Sequence, residues 1–176
     1  MTVTAVRNQL CVFFGGTYDT VTRTYRTPQV VGLGAVRRAF AKRDDHVDYT
    51  LGQVTDHGCQ MVVQLSEGSE RRIAAAGPTL GLKERRHRID LHCFIRSTAA
   101  FAEDAQDYAD TLREAILDRI HADRTCGSGG FEVGGFQVGE GSGVDIDWHL
   151  SQASTVVELT KFYLLITTTA LENIQA

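Results

Sequence analysis

The sequence predicts an α+β fold: a mixed or antiparallel sheet of roughly four to six strands, one long amphipathic helix packed on a face, and a shorter N-terminal helix. Three observations predict it. In residues 88–96, Ile89, Leu91, Cys93 and Ile95 alternate with Arg88, Asp90 and His92, the period of a half-buried strand. From Phe101 the period changes: Phe101, Ala105, Tyr108, Ala109, Leu112, Ile116 and Ile120 recur at steps of three and four, one stripe of a helix of about five turns. Residues 156–170 are then rich in β-branched and aromatic side chains on both faces.

The remaining elements follow in chain order. Residues 3–14 form a helix with Val6, Leu10 and Phe13 or Phe14 inward, stopped by Gly15 and Gly16. Residues 20–25 read as a strand and residues 35–42 as a short helix with a basic face of Arg37, Arg38, Lys42 and Arg43. Strands are expected at 47–51 and 60–65, with Ser66 to Ser69 turning the second into residues 71–76 as a hairpin. Ser97 or Thr98 caps the long helix, and Glu103 and Asp104 sit in its first turn, where the helix dipole favours negative charge. The last run is either one strand longer than usual, bent or covered by a neighbouring subunit, or two shorter strands with a bulge near Lys161.

Composition narrows the function classes. With 176 residues, 43% of them hydrophobic, the chain reads as a single domain spanning 1–176. A net charge of −4 gives no basic footprint for free nucleic acid. No run is long and apolar enough to span a bilayer, and the N-terminus does not read as a signal peptide, so a soluble, unprocessed product is expected. Cys11, Cys59, Cys93 and Cys126 are widely spaced, which signals reduced thiols and neither a zinc site nor a disulfide framework.

Three constellations merit a chemical reading. Asp145, Asp147 and His149 share one side of an extended segment, and Asp90 with His92 repeats the pattern, so carboxylate and imidazole ligands for a divalent ion are conceivable; any amphipathic strand has the same wet side. His57 with Cys59, and His92 with Cys93, suggest a thiolate and a base, without an oxyanion-hole motif beside them. The glycine-rich stretches lack the spacing of a phosphate-binding loop, and no cofactor is expected. Charge is more informative. Glu103, Asp107, Asp110, Glu114 and Asp118 form an acidic row along the long helix beside the apolar one, while Arg71, Arg72, Lys83, Arg85, Arg86 and Arg88 gather around the strand before it. A solvated face explains the row, and so does a head-to-tail contact between the helix of one subunit and the basic strand of the next.

The order of elements carries a resemblance. Strand 88–96, helix 101–121, the turn Asp123-Arg-Thr-Cys-Gly-Ser-Gly-Gly and the final strands over 162–170 resemble the tail-terminator proteins of long-tailed phages, whose helix leads into a D-x-T-x-G-G type turn. The likeness covers roughly the C-terminal half. Cys126 stands where an apolar residue is usual, and Ser128 widens the glycine run. The resemblance implies a structural virion protein, not an enzyme, whose ring, commonly a hexamer, caps the head-proximal end of the tail tube and stops its polymerisation. Its partners would be itself, the tail tube protein and a head-completion or connector protein, at the head-tail junction of a virion assembled in the host cytoplasm. Genomic DNA would pass through the lumen without specific binding, and no membrane or metal is involved. Arg85, Arg86 and Arg88 against Asp107, Asp110 and Glu114 are then the candidate subunit interface. Gly127, Gly130, Phe131, Phe136 and Gly141 are candidates for a loop touching tube or neck. Rival readings are a head-completion protein of the neck, a small metal-dependent hydrolase using Asp145, Asp147 and His149 with Asp90 and His92, and a ferredoxin-like binding module.

Overall fold

The first helix forms where the apolar spacing places it. The computed structural model describes residues 3–41, 56–75, 81–129, 135–139, 145–156 and 159–175. Helix α1 (Val3–Gly15) buries Val6, Leu10, Phe13 and Phe14. It ends at Gly16, whose φ is +67° and whose N–H donates to Val12 O at 2.8 Å. A Cβ at Gly16 would sit 2.2 Å from Thr27 Oγ1, so only glycine makes this exit.

Two short strands, β1 (Tyr18–Asp19) and β2 (Thr24–Tyr25), make a small antiparallel hairpin in place of the single strand expected over 20–25. The helix expected over 35–42 is corrected to β3 (Ala35–Arg37), which pairs with β2 and, in parallel, with Gln60, Met61 and Val62 of β4 (His57–Ala75). Tertiary pairing overrides local propensity here: Ala35 and Val36 are buried, and a helix would leave that stretch of β4 without a backbone partner. The strand expected at 47–51 lies outside the described residues.

Three long strands dominate the sheet: β4, β5 (Gly81–Ser97) and β9 (Leu159–Gln175). The hairpin expected within residues 60–76 does not form. β4 runs through Ser66 to Ser69 without turning, because β5 supplies a partner along its length from His57–Ser97 to Ala75–Gly81. Shifts of register between Leu65 and Glu67, and between Arg72 and Ala74, absorb the extra residues as bulges. β9 pairs with β5 without a shift from Leu82–Gln175 to Ser97–Thr160, so the run after Leu159 is one strand with no bulge at Lys161. Its outer edge is covered in turn, from Leu159 to Glu172, by β8 (Ser154–Val156), β7 (Ile146–Leu150) and β6 (Phe136–Val138). The outer edge of β4, by contrast, has a strand partner only at residues 60–62 among the described residues. The architecture is therefore α+β, with a mostly antiparallel, mixed sheet and two helices.

One face of the sheet forms the core. Met61 and Val63, Ile89, Leu91, Cys93 and Ile95, and Phe162, Leu164 and Ile166 join the buried residues of both helices. Helix α2 (Ala102–Ala122) buries Ala105, Ala109, Leu112, Ile116 and Ile120. Two expectations about it are corrected. Phe101 is 66% exposed and Tyr108 only partly buried, so the apolar stripe is narrower than the spacing suggests. Phe101 is also the N-cap, with no side-chain cap bond, while Ser97 Oγ accepts the Ala99 N–H at 3.1 Å.

The turn after α2 explains its own sequence. The Asp123 carboxylate accepts the Thr125 N–H at 2.9 Å, the Thr125 hydroxyl at 2.6 Å and the Gly127 N–H at 2.9 Å. These bonds, the Thr125 hydroxyl first, hold its pKa below the ordinary aspartate value. Cys126 takes a left-handed φ of +49° and lies in the core, so it replaces an apolar residue as an apolar residue. Its carbonyl accepts Gln9 Nε2 at 2.9 Å, which ties the turn to α1.

Candidate functional site

Alternation sends Asp147 and His149 of β7 to the face of the sheet away from the helices, where Asp90 and His92 of β5 also lie. β9 stands between them: Thr167 is opposite both Asp147 and Asp90, and Leu165 is opposite both His149 and His92. Two strand spacings, about 10 Å, separate the pairs. The Asp90 carboxylate accepts the Thr167 hydroxyl at 2.9 Å and Arg88 Nε at 3.3 Å. Burial pushes its pKa up, but hydrogen bonds from Ser66, Thr167 and Arg88 outweigh that and leave it below the ordinary value. Both His92 nitrogens are engaged, one by the Tyr163 hydroxyl and the other by Gln64 Oε1 at 3.0 Å. Among the described residues no group of three or more His, Cys, Asp or Glu side chains is placed to hold a metal ion.

The thiols are core residues. All four cysteines are free and buried. Burial pushes Cys11 and Cys126 up to about 12 and Cys59, which shares a hydrogen bond with Cys93, well above the ordinary thiol value. A thiolate at Cys59 is therefore disfavoured although His57 shares its face. In an Ellman-type assay all four thiols are expected to react in denaturant and none in the folded chain over the same minutes; rapid labelling of native protein would contradict this burial.

A cavity of about 590 Å³, missed by sequence reasoning, opens where the start of β4 meets α2. Its walls are Val30, Val31, Leu33, Leu112 and Tyr108, with His57 at one side. The His57 ring stacks on Tyr108 at 4.7 Å, and its Nδ1 lies 2.8 Å from Ser97 Oγ. The Tyr108 hydroxyl donates to the Gly32 carbonyl, which fixes the cavity wall to α2. Ser97 is buried and braces the entry to α2, so the Ser–His contact reads as structure. The cavity was illegible because residues 28–33, 57 and 108–112 share no pattern until the chain folds.

Charge is arranged on two opposed surfaces. At about 100° per residue, the row Glu103, Asp107, Asp110, Glu114 and Asp118 points away from the buried stripe of α2, not beside it. Arg113 bridges Asp110 at 2.9 Å and Glu114 at 2.8 Å. Arg86 and Arg88 project from the opposite face of the sheet, since they alternate with the core residues Ile89 and Leu91. They contact the buried carboxylates of Glu84 at 3.1 Å and Asp90 at 3.3 Å, so each guanidinium is anchored at its base and only partly exposed. Arg85 does not belong with them. It lies on the helix side, 2.7 Å from Glu70 and 3.8 Å from the buried Glu172, so it secures the sheet internally.

The glycine-rich loop candidates divide. Gly127 is exposed, with a φ of +71°. Phe136 is corrected: it is fully buried in β6 opposite Glu172, because pairing with β9 draws it into the core, and it cannot act as an exposed anchor. Gly130, Phe131 and Gly141 lie outside the described residues. No helix among the described residues is long and apolar enough to cross a membrane. Compared with known proteins, the chain matches no family model and no curated protein.

Proposed function

We propose that this chain is the subunit of a phage tail terminator. Copies of it form a ring, commonly a hexamer in such proteins, that caps the head-proximal end of the tail tube, halts tube polymerisation and joins the tail to head-completion proteins. One observation carries the reading: the fold holds an acidic row on one side of the sheet and the partly exposed Arg86 and Arg88 on the other. Surfaces of opposite charge facing opposite ways suit a heterologous contact, which generates a ring when its rotation closes.

The reading gives each element a role. α2 is the amphipathic element, with its apolar stripe on the sheet and its acidic row toward a neighbour. Arg86 and Arg88 receive Asp107, Asp110 and Glu114 of the next copy, and the exposed turn around Gly127 faces tube or neck. Genomic DNA passes through the lumen without specific contact, at the head-tail junction of a virion assembled in the host cytoplasm. Electron microscopy of the purified full chain, with its native mass, tests this: rings with a central hole that bind one end of tail tubes are expected. Monomers that ignore tube ends would remove the reading.

A further inference from the structure

The two ends of β4 differ in a way that the ring reading does not require. At its start, His57 lines the apolar cavity beside α2. Toward its end, Ile73 is the residue without a register partner between Arg72–Lys83 and Ala74–Leu82, the extra residue of a bulge. It is apolar, 49% exposed, and follows the exposed Arg71 and Arg72. Bulges commonly re-aim a side chain, and this one leaves Ile73 outside the apolar core.

We infer that Ile73 of one copy inserts into the cavity beside α2 of the next copy, an inference that rests on the ring reading and specifies its joint. The occupant is a second copy because the charges match. Asp104 is exposed one helical turn from the cavity residue Tyr108, placed to meet Arg72 as Ile73 enters, while Arg71 on the other face of the strand pairs with Glu84 at 2.9 Å. A molecule cannot fill its own cavity: His57 and Ile73 are about 50 Å apart along one paired strand. Knob and hole at opposite ends make the contact head-to-tail.

The full chain tests this by native mass. Ile73→Asp spoils the knob, and Val31→Arg blocks the cavity mouth at a residue 82% exposed. Each variant alone is expected to fall from ring mass to monomer with an unchanged circular dichroism spectrum. Mixed together they retain one good joint, so 1:1 dimers that grow no further are expected. If a variant misfolds, Ile73→Cys with Val31→Cys decides, since the four native thiols are buried. Oxidation should give a ladder of covalent oligomers, and its absence overturns the joint. Wild-type rings with both variants still at ring mass would overturn the joint and leave the ring reading standing. A wild-type chain that stays monomeric, even with tail tubes present, removes both.

Discussion

Reversing Asp107, Asp110 and Glu114 to lysine is expected to convert assembled rings to monomers while the fold survives. The three side chains point away from the buried stripe of α2, and within one molecule the change breaks exposed pairs with Arg113 and the bond from Gln106 Nε2 to Asp110. Pairs of that kind contribute about 0–1 kcal/mol, so the melting temperature should change little. The interface would change far more, because attraction to Arg86 and Arg88 of the next copy becomes repulsion along the whole row. Adding Arg86→Glu and Arg88→Glu to a second protein and mixing it with the first should restore association. Raising salt should weaken wild-type rings, since exposed charges separated by more than a Debye length are screened. A triple variant with unchanged native mass would make the acidic row a solvated face and nothing more.

The largest stability effect is expected at Glu172. This carboxylate is fully buried, with His87 Nε2 at 3.2 Å and Arg85 Nη1 at 3.8 Å. His87 is buried as well. Glu172→Ala removes the acceptor and leaves the buried His87 Nε2 facing a void, which typically costs about 1–3 kcal/mol. Glu172→Gln keeps an acceptor oxygen in the same shape and should cost clearly less. Urea titration of the two variants separates these cases: equal midpoints would mean that the carboxylate has no special part in holding β5 and β9 together. The loss should appear in monomers as in rings, which distinguishes it from the interface variants.

Local pattern was sufficient for much of the fold. The period-3.6 spacing of Val6, Leu10 and Phe14, and of Ala105, Leu112, Ile116 and Ile120, marked both helices. The period-2 spacing of Ile89 to Ile95 marked β5, since a side chain's face is set by the chain's own geometry. The Asp123-x-Thr turn was equally local, because one carboxylate satisfies amides within four residues of itself. Errors came where a distant partner decided the outcome. Residues 35–37 became a strand because β4 lies beside them, and Ser66 to Ser69 ran straight because β5 continues opposite them. Phe136 left the surface because β9 draws β6 into the core.

The candidate interface shows the same division. The acidic row and the arginine cluster were written in the sequence as spacing and charge. Alternation with Ile89 and Leu91 also separates Arg85 from Arg86 and Arg88, but what holds Arg85 was not legible, because Glu70 from β4 and Glu172 from β9 are brought near only by sheet pairing. By itself the sequence determined which stretches coil, which extend and where like charges gather, since these depend on neighbours within a few residues. Tertiary structure alone decided strand order, the reach of β4 and the cavity at its start. Each of those requires backbone groups far apart in the chain to satisfy one another's hydrogen bonds.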